Sequence, residues 1–239
     1  MRRAFDRRDF VNITGASLAT ILFGACDSEG PQKAERLLNY AEKKNEGLER
    51  SIFRHTSMDR VRSGAHAAGE EFPSYFVSDV VPIWNPTLNG VWRLEVGGMV
   101  RKPLSLSLKD LMDIERQTQR VNHYCVEGWT AVAEWTGVPL SMLATMAEAD
   151  KSSRYVDFQS FDDDYHESWD IESALHPQTI VAYAKDGSPL SPAYGAPARV
   201  HSPVKLGYKN TKYLTKIMFM PERNGGYWTD RGYEWYGGV

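Results

Sequence analysis

Cysteine is scarce in this sequence, with Cys26 and Cys125 alone among 239 residues. Two cysteines exclude a disulfide scaffold, a zinc site of several thiolates and an iron–sulfur cluster, and the sequence has no CxxCH haem-attachment motif. Charge of one sign is not in excess either, because 28 Lys and Arg face 31 Asp and Glu. The net charge of −3 gives no support for nucleic-acid binding. A content of 42% hydrophobic and 25% charged residues is typical of a globular protein.

A long apolar run is also missing from the N-terminal region, where residues 11–25 form a stretch that is too short to cross a bilayer comfortably. Arg7 and Arg8 precede this stretch in the pattern of a twin-arginine export signal. Residues 23–26 resemble a lipoprotein box that ends at Cys26, and an ordinary cleavage site is the alternative. We therefore predict a twin-arginine signal over residues 1–26 and a periplasmic location, with Cys26 as a candidate lipid anchor.

The remainder is predicted to form a linker and N-terminal helix over residues 27–71 and one domain over residues 72–239. Apolar residues recur at helical spacing between residues 31 and 53. In the domain, residues 92–96 alternate between apolar and charged side chains, which is typical of a strand. Other local signals are a capping box at residues 107–110 and a hairpin turn at Asp186-Gly187. Short strands and helices without a βαβ rhythm predict an α+β fold.

The densest group of chemically active residues surrounds Cys125, between His123 and Glu127 and near Trp129. A buried cysteine is usually a small apolar core residue. In an oxidising compartment, however, an exposed thiol is protected if it is a metal ligand. The other histidines have no metal-ligand spacing, so a metal held by Cys125 would take its remaining ligands from a cofactor.

A second group is a local concentration of basic residues near the C-terminus. Two interpretations are open: a solvated hairpin face, or a site for a phosphate or another anion. The members are Arg199, His201, Lys205, Lys209, Lys212 and Lys216.

The segments around both groups resemble one family. His-x-Cys-Val-Glu-Gly-Trp at residues 123–129, with Trp-Thr-Gly-Val-Pro-Leu at residues 135–140, resembles the molybdenum-binding segment of the sulfite oxidase family of molybdopterin oxidoreductases. Residues 189–200 and the basic loop that follows resemble its pterin-phosphate segment, and residues 92–98 resemble its first strand pair. The chain is most similar to the single-domain periplasmic branch that includes the catalytic subunit of protein-methionine-sulfoxide reductase. The resemblance covers the chain from about residue 72 onward.

This resemblance implies a sulfite oxidase-type molybdopterin-binding domain with mixed β-sheets and short helices, and a molybdenum–molybdopterin cofactor. It implies that Cys125 is the thiolate ligand of molybdenum. The positions that match the family's pterin contacts, or lie near them, are Phe76, Ser160, Tyr194, Arg199, Lys205, Lys209, Asn210, Thr211 and Lys212.

The predicted activity is a two-electron oxygen-atom transfer that reduces an S-oxide or an N-oxide. His123 and Glu127 are the candidates for proton delivery. Sulfite-type oxidation by the same cofactor is the alternative, although no clear substrate arginine lies beside Cys125 in the sequence. A non-catalytic electron-relay lipoprotein and a cysteine hydrolase are rivals from other classes. Electrons are expected to come from a separate protein, for which a membrane protein is a candidate, and the enzyme is expected to be a monomer.

Overall fold

A computed structural model describes residues 32–52, 72–162 and 165–239. Helix α1 (Gln32–Ile52) confirms the helix predicted between residues 31 and 53. This helix belongs to one compact unit of the chain, and the residues from 72 onward belong to a second. The predicted export signal, Cys26 and residues 53–71 lie outside the described residues. Within the described part, none of the helices has the length and apolar character needed to span a membrane.

Ten strands in the described residues of the second unit form two five-stranded sheets. In chain order they are β1 (Arg93–Gly98), β2 (Leu104–Ser107), β3 (Gln117–Tyr124), β4 (Thr130–Pro139), β5 (Tyr155–Ser160), β6 (His166–Asp170), β7 (Ile180–Lys185), β8 (Ser188–Pro189), β9 (Arg199–His201) and β10 (Leu214–Met220). The first sheet has the order β2-β1-β10-β5-β6, and only β1 and β10 are parallel in it. The second has the order β3-β4-β7-β8, with β9 also paired to β7. The predicted α+β class is confirmed.

Four short helices accompany these strands: α2 (Pro86–Asn89) before β1, and α3 (Leu108–Asp113), α4 (Leu140–Met146) and α5 (Ile171–Ala174) between strands. Two local predictions are confirmed here. Ser107 and Asp110 form a reciprocal capping box at the start of α3, which satisfies backbone N–H groups that have no partner within the helix. Asp186 and Gly187 have φ angles of 49° and 76°, the left-handed values that a tight turn between β7 and β8 requires.

The hydrophobic core lies between the two sheets. The strand predicted at residues 92–96 is β1, in which Leu94 and Val96 are buried while Arg93 and Glu95 are exposed. The core combines Phe158, Trp169 and Ile217 of the first sheet with Val138, Val181 and Val200 of the second. Each large side chain that is fully buried here contributes about 1.5–3 kcal/mol to the hydrophobic stabilisation. The packed sheets therefore give a rigid base for the loops at the strand ends.

Candidate active site

The candidate active site is a cavity of about 310 Å³ at the ends of the second sheet's strands. The β3–β4 loop, residues 72–77, the loop after β9 and residues 228–233 contribute to its wall. The residues predicted from the sequence that line it are His123, Cys125, Glu127, Phe76, Arg199, Asn210 and Lys212. The fold therefore brings the cysteine group and part of the basic group together, although about 75 residues separate them in the chain.

Cys125 begins the tight turn between β3 and β4. Its backbone N–H donates to the Trp129 carbonyl at 3.0 Å, and the Gly128 N–H donates to the Cys125 carbonyl at 3.1 Å. Cys125 Sγ lies 4.0 Å from Glu127 Oε2, a carboxylate oxygen that also accepts a hydrogen bond from Trp129 Nε1. Burial, and then the nearby Glu127 charge, raise the pKa of the Cys125 thiol. The thiol is therefore protonated near neutral pH unless a metal binds it.

His123 is a buried wall residue two positions before Cys125, and the residue is 6% exposed. Burial, together with the charges of Arg199 and Lys212, lowers the pKa of His123 to about 3, so the imidazole is neutral. Its Nδ1 has no hydrogen-bond partner among the described residues. A Cβ atom added at Gly207 would lie 2.7 Å from His123 Nε2, so this close approach of loop and ring requires glycine.

Behind His123, the aromatic rings form a stacked column. The His201 ring lies 5.6 Å from the His123 ring and 4.4 Å from the Trp135 ring, measured between centroids. Arg199 completes the column, with its guanidinium carbon 4.9 Å from the Trp135 ring. Burial lowers the pKa of His201 well below its ordinary value, so this ring is also neutral. The column fixes His123 against the cavity.

Two cations face the cavity without a carboxylate partner in the described part of the chain. Arg199 is 2% exposed, and it donates to the carbonyls of Asn210 and Tyr194 at 3.0 and 3.3 Å. Lys212 Nζ donates to the carbonyls of Tyr75 and Ala193 at 2.6 and 2.7 Å. Burial, and then the Arg199 charge, lower the pKa of Lys212 to about 7. A bound anion would relieve both unfavourable effects.

These residues fit a molybdopterin cofactor. A phosphate needs cationic donors, which Arg199 and Lys212 supply, and a thiol suits a soft or higher-valent metal. Aromatic side chains form much of the remaining wall, and Tyr75 stacks on Trp129 with ring centroids 6.0 Å apart. Within residues 32–52, 72–162 and 165–239, no group of three or more His, Cys, Asp or Glu could hold a metal ion. Cys125 is the thiol that the cavity offers to a metal.

Two predicted phosphate contacts, Lys205 and Lys209, lie away from the cavity in buried ion pairs. Lys205 Nζ pairs with Asp170 at 2.8 Å, and Lys209 Nζ pairs with Glu167 at 2.5 Å. All four side chains are 0% exposed. The interpretation of these two lysines as a solvated hairpin face is therefore wrong, because β6 supplies carboxylates that hold them in the interior.

The other three predicted contacts are not among the cavity-lining residues. The Ser160 hydroxyl accepts a hydrogen bond from the Asp162 backbone N–H at 2.9 Å. The Tyr194 hydroxyl donates to the Phe72 carbonyl at 2.7 Å. Thr211 is buried, and its hydroxyl has no partner among the described residues. Their role as pterin contacts stays a prediction.

Several aromatic residues of the cavity wall were not predicted from the sequence, among them Tyr165, Tyr208, Trp228 and Tyr233. They come from three separate parts of the chain, and the Tyr165 hydroxyl donates to the Tyr208 carbonyl at 2.7 Å. The aromatic density between residues 227 and 236 was a signal that could have drawn attention to this segment.

A solved structure has a fold similar to that of this chain. The sulfane dehydrogenase SoxCD from Paracoccus pantotrophus superposes with a TM-score of 0.52 over 55% of this chain and 39% of that chain. At 22% identity, this likeness concerns the fold alone. The predicted sulfite oxidase-type domain is confirmed.

Sequence comparison extends the likeness to named relatives. A suggested protein-methionine-sulfoxide reductase subunit of Azospira oryzae, YedZ1, is 42% identical over 147 residues, which are 62% of this chain and 56% of that protein. The protein-methionine-sulfoxide reductase catalytic subunit MsrP of Xanthomonas axonopodis pv. citri is 34% identical over 154 residues, covering 58% and 48%. The chain thus spans about half the length of these curated relatives. The family model described as the oxidoreductase molybdopterin binding domain matches residues 80–228. The chain therefore belongs to the oxidoreductase molybdopterin-binding domain family, whose cofactor is molybdopterin.

Proposed function

We propose that this protein is an exported, molybdopterin-dependent reductase that removes the oxygen of an S-oxide or an N-oxide in a two-electron oxygen-atom transfer. The observation that carries the proposal is the cavity that joins the Cys125 thiol to the unpaired cations Arg199 and Lys212. The names of the relatives favour an S-oxide, because they describe methionine-sulfoxide reductase subunits. The Arg7-Arg8 pattern supports export and a periplasmic site of action.

The residues of the cavity have separate tasks in this proposal. Cys125 binds the metal, while Arg199 and Lys212 hold the anionic end of the cofactor. Gly207 lets the loop that carries Asn210 and Lys212 lie directly against His123. When bound, the cofactor supplies the two-electron chemistry, and the protein sets its orientation and surroundings.

Besides binding the cofactor, the chain must supply protons, because releasing the oxygen of an S-oxide as water consumes two protons and two electrons. Glu127 is exposed, and its carboxylate lies 4.0 Å from Cys125 Sγ, so it can exchange protons with solvent beside the metal ligand. His123 is neutral, and its unpartnered Nδ1 can take part in one further hydrogen bond. The electrons come from a separate protein, for which a membrane protein is our candidate.

The aromatic wall suits an apolar S-oxide. Sulfur in thioethers makes favourable contacts with aromatic rings, and Tyr75, Trp129, Trp228 and Tyr233 all line the cavity. A thioether product would keep these contacts after the oxygen has left. The wall therefore supports a substrate of the methionine-sulfoxide type.

The pKa of Cys125 argues against the cysteine hydrolase. An activated nucleophilic cysteine has a lowered pKa, which favours the thiolate. In this cavity, burial shifts the pKa of Cys125 in the opposite direction. The neighbouring His123 stays neutral and is stacked on His201, and no hydrogen bond joins it to Cys125 among the described contacts.

The test compares the full chain with Cys125→Ser, both produced in a host that synthesises molybdopterin. We expect about one molybdenum per wild-type chain and clearly less in folded Cys125→Ser, because the substitution removes the thiolate ligand that suits this metal. Cys26→Ser is the matched control, since it makes the same substitution at the other cysteine and should retain the metal. Wild-type protein should then reduce S-oxides with a chemical electron donor.

Three results would change the assignment. Folded, exported wild-type protein without molybdenum would contradict the proposal and favour an electron-relay or binding role. Oxidation of sulfite without reduction of any S-oxide or N-oxide would favour the alternative reaction. Molybdenum retained at wild-type level in Cys125→Ser would remove Cys125 as the ligand.

A further inference from the structure

Two segments meet beside the cavity. The first, called here the cavity loop, is residues 204–212, which supply Gly207, Tyr208, Asn210 and Lys212 to the wall. The second, called here the strap, is residues 233–239, and it lies beyond the end of the family match at residue 228. The strap contributes Tyr233 to the wall, and it contacts the cavity loop.

The strap pairs with the cavity loop through the backbone. The Leu206 N–H donates to the Gly237 carbonyl at 2.8 Å, and the Val239 N–H donates to the Val204 carbonyl at 3.2 Å. Lys205 and Gly238 form an antiparallel bridge between these two bonds. The loop therefore gains a short, strand-like partner outside the two sheets.

The buried lysines of the cavity loop are held from both sides. Lys205 Nζ bonds to Asp170 on β6 and also donates to the Tyr236 carbonyl of the strap at 2.6 Å. The same Nζ lies 3.5 Å from the centre of the Tyr236 ring. Lys209 is paired with Glu167 and lies 5.7 Å from the Trp235 ring. Because a buried charge must be paired and hydrogen-bonded, the strap completes the surroundings of both cations.

Glu234 shapes the strap itself. Its carboxylate accepts hydrogen bonds from the backbone N–H groups of Tyr236 and Gly237, and its carbonyl accepts one from the Tyr208 hydroxyl. Gly237 has a φ of 52°, and a Cβ there would lie 2.7 Å from Lys209 Cγ and 2.8 Å from the Tyr208 hydroxyl oxygen. The strap can thus approach the loop this closely only with glycine at this position.

We propose that the strap is a positioning element for the cofactor. By holding the cavity loop through its backbone and its buried lysines, the strap sets the positions of Gly207, Asn210 and Lys212. It thereby decides whether the cofactor's anionic end is retained. Strap residues 234–239 lie outside the cavity wall, so they act through the loop. The inference about retention rests on the proposed cofactor site, whereas the inference about loop conformation does not.

Two glycines provide a matched test. Gly232 and Gly237 both have left-handed φ angles, 91° and 52°, but only Gly237 has neighbours within 4 Å of a built Cβ. Gly232→Ala therefore carries a similar backbone penalty without touching the cavity loop. Leu111→Ala, at the buried position of α3, serves as a control for general loss of stability.

The experiment uses full-length proteins made in a molybdopterin-producing host and purified as folded species. Molybdenum per folded chain and hydrogen exchange of peptides covering residues 204–212 are measured for each. We expect Gly237→Ala to retain about 10-fold less molybdenum than wild type and to lose protection in the cavity loop. Gly232→Ala should match wild type in molybdenum content and in hydrogen exchange of the cavity loop. In Leu111→Ala, the cavity loop should lose no more protection from hydrogen exchange than the rest of the domain.

The two readouts separate the outcomes. Wild-type protein that contains no molybdenum would contradict the proposed function. The hydrogen exchange of the cavity loop in Gly237→Ala would then decide by itself whether the strap holds the loop. Gly237→Ala with normal molybdenum overturns the inference, whether or not the loop loses protection, and so does an equal loss of molybdenum in Leu111→Ala. If Gly237→Ala does not fold, Glu234→Gln replaces it with the same criteria. The amide keeps only one of the two acceptor oxygens, and the substitution adds no heavy atom.

Discussion

Replacing Lys212 with methionine should make anion binding in the cavity weaker and remove its dependence on pH. Lys212 Nζ has two carbonyl partners, and burial with the Arg199 charge lowers its pKa to about 7. An anion binds the ammonium form, so the apparent affinity follows the protonated fraction of this one side chain. Arg199, with a pKa lowered by burial to about 10, stays charged throughout the range of interest.

The magnitude follows from these pKa values. Between about pH 6 and about pH 8 the protonated fraction of Lys212 falls from about 0.9 to about 0.1, so the dissociation constant should rise about 10-fold, or about 1.4 kcal/mol. Removing a charged hydrogen bond costs about 1.5–3 kcal/mol, so Lys212→Met should bind about 10- to 150-fold more weakly at about pH 6. The difference between the two proteins should shrink as the pH rises.

Calorimetric titration of cofactor-free protein with sulfate measures this directly, since sulfate keeps its charge over the whole range. Lys151→Met, at an exposed position, is the control and should behave as wild type. If Lys212→Met kept the 10-fold pH effect, the titrating group would be a different one and the reasoning would fail. A wild-type affinity for sulfate that does not change with pH would also refute the role assigned to Lys212.

The lowered pKa of Lys212 also makes the free energy of unfolding depend on pH. The folded pKa of Lys212, about 7, lies below its ordinary value of 10.5, so the unfolded chain binds more protons between these limits. The free energy of unfolding of the cofactor-free protein should therefore rise with pH across this window. Lys212→Met should remove this part of the rise in urea titrations at several pH values.

Three further changes test other parts of the structure. Gly207→Ala should cost about 1–3 kcal/mol and lower the molybdenum content, because its Cβ would lie 2.7 Å from His123 Nε2; normal values for both would contradict the close approach. Lys209→Met should lower the free energy of unfolding by about 3–5 kcal/mol, because it leaves Glu167 buried and unpaired. The double variant that also carries Glu167→Leu should recover much of this loss, as measured by urea unfolding. His166→Gln should lower the stability of the protein more at about pH 5 than at about pH 8, because the hydrogen bond to buried Asp157 raises the pKa of His166 above 6.5. Thermal melts in which the substitution lowers the melting temperature equally at both pH values would contradict this.

The sequence predicted features that depend on residues close together in the chain. The capping box at residues 107–110 and the hairpin at residues 186–187 each depend on residues no more than four positions apart. The alternation in β1 likewise needs only the two-residue period of a strand. Such signals act within one element, so no knowledge of the packing is needed.

The cavity wall depends on contacts between distant residues, and the sequence predicted it in part. The motif around Cys125 identified one wall, because the turn and its polar side chains are contiguous. The aromatic wall combines residues from positions 165, 208, 228 and 233, which the fold alone brings together. The buried partner of Lys209 is Glu167, 42 residues earlier in the chain. Nothing in the spacing of the lysines indicates which of them will meet a carboxylate.

Lys205, Lys209 and Lys212 show why charge alone does not locate an anion site. All three are lysines of one loop, and the sequence treats them alike. Asp170 and Glu167 on β6 neutralise the first two in the interior, where a phosphate would have to displace a carboxylate already bonded at 2.8 or 2.5 Å. Lys212 has carbonyl partners, which orient its ammonium group without cancelling its charge. Burial lowers the pKa of all three lysines, so a lowered pKa does not single out the anion site. The cation that can serve an anion is the one for which the fold supplies no acid.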